Sequence, residues 1–195
     1  MPTTLKSNRP PIPTGRQVTA KEFGEHPEWG PCRLTRGKVA PLTNPMPKHG
    51  KIEFEVSFRI GQFVRDRRLG QVFVGDAGIL VERDPDTVRG PDVCFFRTER
   101  VPAPDALEEY FVVAPDLCVE VVSPSDTWSD ISEKVDLFLA AGVALVWVVD
   151  PRAHRAHVFR KGREPVVVPA TGALDGEEIL PGFSLPLGAL FEASG

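Results

Sequence analysis

The stretch from Asp116 to Pro151 constrains the fold most, because it reads as strand, turn, helix and strand in one unbroken unit. Leu117 to Val122 is a short β-branched run that Pro124 and Ser125 break. A helix is expected from about Ser129 to Ala141, closed by Gly142, the residue type that best accepts a left-handed C-cap. Asp130 and Glu133 stand three apart at its start, as a capping-box-like pair. Ala144 to Val149 is apolar throughout, as in a strand buried on both faces. A crossover of this length is right-handed, so the two strands are predicted to run parallel.

Two charges in this unit sit where charge is expensive. Glu120 lies in the middle of the first strand. Lys134, at about 100° per residue, falls between Ala141 and Phe138 on the apolar arc of the helix. An unpaired buried charge costs several kcal/mol or shifts its pKa, so each requires a partner or a metal.

The 195 residues are enough for one domain with a real core, and a hydrophobic fraction of 42% is ordinary for a soluble chain. The longest apolar run, Leu137 to Val149, is divided by Gly142 and is too short to span a bilayer. The N-terminus has no apolar h-region. Three widely spaced cysteines argue against a zinc site and for a reducing, cytoplasmic setting. A net charge of −4 gives no global attraction to nucleic acid, so any such binding must use a local patch.

Taken in order, residues 1–18 are proline-bearing and apolar-poor, and a mobile leader is expected there, followed by a single domain over 19–195. Thr19 and Glu22 suit a capping box for a short helix through about His26. Residues 32–47 suggest a hairpin turning at Gly37, then a Pro-rich bend. Lys51 to Arg67 fits two patterns. Ile52, Phe54, Val56, Phe58 and Ile60 alternate as in a strand, while Ile52, Val56, Ile60, Phe63 and Val64 share one helical face. The length favours helix. Strands are expected over 71–74, 79–82, 91–96, 157–160 and 165–168, with a long surface connection over 97–115 and a tail over 179–192 that covers a core edge.

Strand periodicity puts Asp92 on one face with Cys94, and Glu120 on one face with Cys118. If the two strands pair antiparallel with Asp92 opposite Glu120, the same register sets Cys94 opposite Cys118. Two adjacent carboxylates cannot both stay ionised cheaply without a cation. Oxygen ligands suit Mg²⁺ or Mn²⁺, and Lys134 from the next helix can face a bound water or a phosphate.

These residues carry a family resemblance. Arg89-Gly90-Pro91-Asp92-Val93, Ala114-Pro115-Asp116-Leu117, Val119-Glu120-Val121-Val122-Ser123-Pro124-Ser125, Asp130, Lys134, Ala141-Gly142-Val143, Trp147-Val148-Val149-Asp150-Pro151 and Leu180-Pro181-Gly182-Phe183 resemble the Uma-type family, grouped with restriction endonucleases in the PD-(D/E)XK nuclease superfamily. His49-Gly50, expected just ahead of the first long helix, matches as well, and the likeness runs from about residue 19 to 191. It implies a restriction-endonuclease-like α/β (α+β) fold, a mixed central sheet flanked by helices with an N-terminal hairpin. It further implies a metal-dependent endonuclease acting on nucleic acid, DNA first, with Asp92 and Glu120 holding Mg²⁺ or Mn²⁺ and Lys134 assisting. The superfamily's usual lysine slot, two residues after the second acid, is Val122 here. Arg33, Arg36 and Lys38 occupy a region where the family often carries an acid, and Glu53 or Glu55 are the substitutes. A homodimer would suit two-strand cleavage. The alternative is a non-catalytic nuclease-fold nucleic-acid-binding or scaffolding protein.

Simpler roles compete at each position. Lys134 suits an (i, i+4) pair with Asp130, Asp92 a turn after Pro91, and His49 a cap or surface group. His154 and His157, three apart on an expected strand, point to opposite faces, and Trp147 suits core. The clusters Arg65, Arg67, Arg68 and Arg152, Arg155, Arg160, Lys161, Arg163 matter only if the fold brings them beside the acids.

Overall fold

A computed structural model describes residues 10–43 and 46–192. Residues 1–9 of the expected leader and 44–45 of the expected bend lie outside the described residues. In chain order the elements are α1 (Ala20–Glu25), β1 (Cys32–Thr35), β2 (Lys38–Pro41), α2 (Pro47–Arg67), β3 (Gly70–Val74), β4 (Ile79–Glu82), β5 (Thr87–Arg89), β6 (Val93–Arg97) and β7 (Leu117–Val121). They continue with α3 (Trp128–Ala141), β8 (Leu145–Asp150), β9 (Arg155–Arg160), β10 (Val166–Pro169), β11 (Ala173–Asp175), β12 (Ser184–Pro186) and α4 (Leu187–Glu192).

Six strands in the order β10-β9-β8-β7-β6-β3 form the central sheet. Only β7 and β8 pair in parallel, as the α3 crossover requires, so the sheet is mixed. Alternation divides its side chains between two cores. Val119, Val121 and Trp147 face Ile52, Val56, Ile60 and Val64 of α2, together with the C-terminal Phe183, Leu187 and Leu190. Cys94, Cys118, Val146 and Val148 face Ile131, Val135 and Phe138 of α3. A second sheet, β2-β1-β5-β4, closes over a small core of Val18, Trp29, Leu34 and Val88. The hairpin is therefore half of a larger element, because β5 pairs with β1 at Leu34 and Val88.

The ambiguous segment is helical. Every buried residue of α2 from Ile52 onward lies on the helical face, and Phe54 and Phe58, which alternation would have buried, are exposed. His49 and Gly50 belong to its first turn rather than preceding it.

The cap of α3 differs from expectation. The helix starts at Trp128, so Thr127 is the N-cap and Asp130 its reciprocal partner, which leaves Glu133 out of the box. Asp130 is committed to Thr127 Oγ1 at 2.6 Å and does not pair with Lys134.

Three smaller readings also change. Val18, inside the expected leader, is buried and donates its N–H to Gly37 O at 2.8 Å. The 97–115 connection buries Phe111 against Phe73 and Phe96. His154 stands at positive φ in the turn before β9 and stacks on Phe191, whereas His157 lies on β9 against Trp128. Trp147 is core, fully buried beside Phe183. Among the described residues, no helix is long and apolar enough to cross a membrane.

Candidate active site

The β6–β7 register brings the two acids together. Val93 lies opposite Val119 and Cys94 opposite Cys118, so Asp92, one residue ahead of the ladder, arrives across from Glu120. The two thiols are buried behind them, and burial pushes Cys94 up to about 12, which leaves it inert. Gly90 is needed just upstream, because a Cβ there would sit 2.2 Å from the carbonyl oxygen of Asp76.

Asp92 is fixed by the backbone of β7. Its Oδ2 accepts the Val121 N–H at 2.6 Å, and His49 Nε2 lies 3.3 Å from the same oxygen. Glu53, one helical turn beyond His49, brings Oε2 to 3.9 Å from His49 Nδ1. Ligand-capable atoms of His49, Glu53 and Asp92 all lie within 4.8 Å of one another. Lys134 Nζ reaches from α3 to donate to Glu120 Oε2 at 2.7 Å. Glu120 Oε1 and His49 Nδ1 are both buried with no hydrogen-bond partner among the described residues.

All three expected residues thus converge, with additions. Helical geometry separates the two N-terminal acids: Glu53 faces the cluster, while Glu55 pairs with Arg59 at 3.7 Å. His49, expected as a cap or surface group, is buried and bonded to Asp92. Asp76, in the tight turn after β3, lines the same cleft and was missed. The available signal was Gly75-Asp76 directly after a strand.

The charges are crowded. Burial raises Glu120 to about 8, with Asp92 adding and Lys134 opposing. Desolvation also raises Glu53 and Asp76, and Asp92 adds to both. The hydrogen bond to Asp92 raises His49 above 6.5 against the opposing effect of burial. For Lys134, burial lowers the pKa most, but the charges of Glu120, Asp92 and Asp76 and the Glu120 hydrogen bond together raise it and hold the ammonium protonated.

Each of these folded-state shifts means that the native site keeps protons the unfolded chain has released. Stability contributed here is complete below the unfolded values and is lost as pH rises. For Glu120 the window runs from 4.5 to about 8. In chelator-treated protein, the melting temperature of Glu120→Gln is expected to fall less between pH 5 and 8 than that of wild type. Parallel curves from differential scanning would contradict these shifts.

The acids line a broad cleft whose other wall comes from the small sheet and includes Arg33 and Arg89. Neither basic cluster singled out in the sequence supplies a lining residue. Arg65 lies about 18 Å along α2 from Glu53 at 1.5 Å per residue, and Arg160 pairs with Glu177.

The sequence pattern of the Uma2 family, described as "Putative restriction endonuclease", matches residues 21–188. The chain belongs to the Uma2 family. No curated protein sequence matches it. Among solved structures, this Uma2 chain is similar to "a putative nuclease belonging to DUF820" from Anabaena variabilis. The TM-score is 0.79 at 23% identity, covering 91% of this chain and 99% of the other. That likeness supports the restriction-endonuclease-like fold. The Uma2 match extends from α1 to α4 and includes every residue of the acid cluster.

Proposed function

We propose that this protein is a divalent-cation-dependent endonuclease that hydrolyses phosphodiester bonds in nucleic acid, with DNA as the first substrate to test. The observation that carries the reading is the convergence of His49, Glu53 and Asp92 within 4.8 Å, beside a Glu120–Lys134 pair in one cleft. Three acids and an imidazole packed this closely share one ammonium, Lys134, and among the described residues Glu120 Oε1 is a buried acceptor with nothing to accept.

Asp92, Glu53 and His49 would hold the ion, with Glu120 Oε1 available to complete the set. Mg²⁺ or Mn²⁺ suits the carboxylates, and Mn²⁺ is the better first probe because imidazole is a poor partner for Mg²⁺. A bound divalent cation supplies Lewis-acid polarisation of the phosphate and an activated water. The protein's own groups do the rest. The Val121 N–H holds Asp92 in place. Glu120 positions Lys134, whose ammonium donates to charge developing on the phosphoryl oxygens. Cutting both strands of a duplex needs two such sites, which two copies of the chain would provide.

Calorimetric titration with Mn²⁺, wild type against Glu120→Ala, tests the reading, with circular dichroism to verify folding and nicking of supercoiled plasmid as the activity readout. Wild-type binding and nicking that the variant loses are the expected results. A wild type that neither binds Mn²⁺ nor nicks would leave a nuclease-fold binding protein whose Glu120 and Lys134 form a structural ion pair.

A further inference from the structure

Arg89 is only 9% exposed, yet no carboxylate lies within ion-pair distance of it among the described residues. Its Nη1 donates to Leu34 O at 2.8 Å and Val88 O at 3.1 Å. Nε and Nη2 have no partner among the described residues, although the side chain lines the cleft that holds the acids. A guanidinium cannot escape burial by losing its proton. Burial lowers its pKa and the charge of Arg33 lowers it further, while Glu133 and Glu82 act only from a distance. Arg33, exposed on β1, lines the same wall. Two arginines thus face one cleft, with two of the buried fork's nitrogens free. A planar fork with open N–H groups matches the oxygens of a phosphodiester.

We propose that Arg89, with Arg33 beside it, forms a subsite for a backbone phosphate adjacent to the one that is cleaved. The inference rests on the nuclease reading and deepens it. Arg89 precedes Asp92 by three residues, so their Cα atoms are at most about 10 Å apart. Successive phosphates advance about 3.4 Å along the axis of a strand, which places a neighbouring one within reach. Arg89 is a positioning residue here: Leu34 O and Val88 O hold the fork in place, and the free edge holds the strand.

Fluorescence anisotropy of a labelled 20-bp duplex, with Ca²⁺ present and KCl varied, tests the subsite. Wild type, Arg89→Met and Arg33→Gln are compared, with Mn²⁺ calorimetry and thermal melts on each. Arg89→Met is expected to weaken binding about 10-fold and to reduce the log K against log [KCl] slope by about 1, with Mn²⁺ affinity retained. Arg33→Gln, an exposed change that does not threaten the fold, is expected to reduce the slope by about 1 as well. Unchanged slopes with a lowered melting temperature would make Arg89 a brace for the hairpin and overturn the subsite, leaving the nuclease reading intact. A wild type that binds Mn²⁺ but no duplex at low salt would overturn the subsite and the nucleic-acid reading together.

Discussion

Exchanging Asp92 for asparagine is expected to weaken Mn²⁺ binding by about 100-fold or more and to bring cleavage below detection, with little change in thermal stability. The asymmetry follows from what each oxygen does. Asn retains a carbonyl oxygen that can accept the Val121 N–H, so the bond from the β7 backbone to this side chain survives. The charge that would draw a cation to the cluster does not. Removing it also relieves repulsion on Glu53, Asp76 and Glu120, each of which Asp92 pushes up. Calorimetry paired with a melt measures both halves. Unchanged Mn²⁺ affinity would place the ion, if any, elsewhere.

Lys134→Met is expected to separate binding from chemistry. The side chain is 22% exposed while its partner Glu120 is almost buried, so the pair stands at the cleft wall rather than in the deep core. Breaking a fully buried pair costs 3–5 kcal/mol, but a carboxyl that already titrates near 8 can take up a proton instead. A stability loss of about 1–2 kcal/mol is therefore expected. Losing one preorganised donor to the phosphoryl oxygens is expected to slow nicking by about 10²–10³. Mn²⁺ affinity should hold or rise, because a competing positive charge has left. Single-turnover nicking at saturating Mn²⁺ checks this, and an undiminished rate would reduce Lys134 to a counter-ion for Glu120.

The centre of this architecture was legible because its signals are local. A strand interrupted by one acid, a helix with one cation on its apolar arc and a glycine stop are readable without knowing what packs on them. The β6–β7 register was reachable too, because two short strands with paired acids and thiols leave few alignments. What stayed hidden depended on the fold. His49 has no apolar neighbour pattern to mark it as buried; the groups that meet it, Asp92 and the β7 backbone at Val121, lie far away in sequence. Glu53 and Glu55 are indistinguishable until the helix is settled, since alternation puts both on one strand face whereas helical geometry separates them by about 200°. Asp76 is placed by a turn whose close approach to Gly90 no periodicity announces. The α3 capping box lies three residues earlier than expected, Thr127 with Asp130 rather than Asp130 with Glu133, which commits Asp130 to Thr127 instead of Lys134.

Asp92 sits one step outside the β6 ladder and Glu120 inside β7, and neither is a member of a hydrophobic core. The consequence is evolutionary. If the proposed cleavage is the cluster's role, a lineage released from it would gain stability by neutralising Glu120, since burial and Asp92 both disfavour its charge. Its descendants would keep the twelve strands of the described residues and all three cores while losing that chemistry. Shape can therefore outlive activity in this architecture, and a likeness of backbones across it measures ancestry rather than trade.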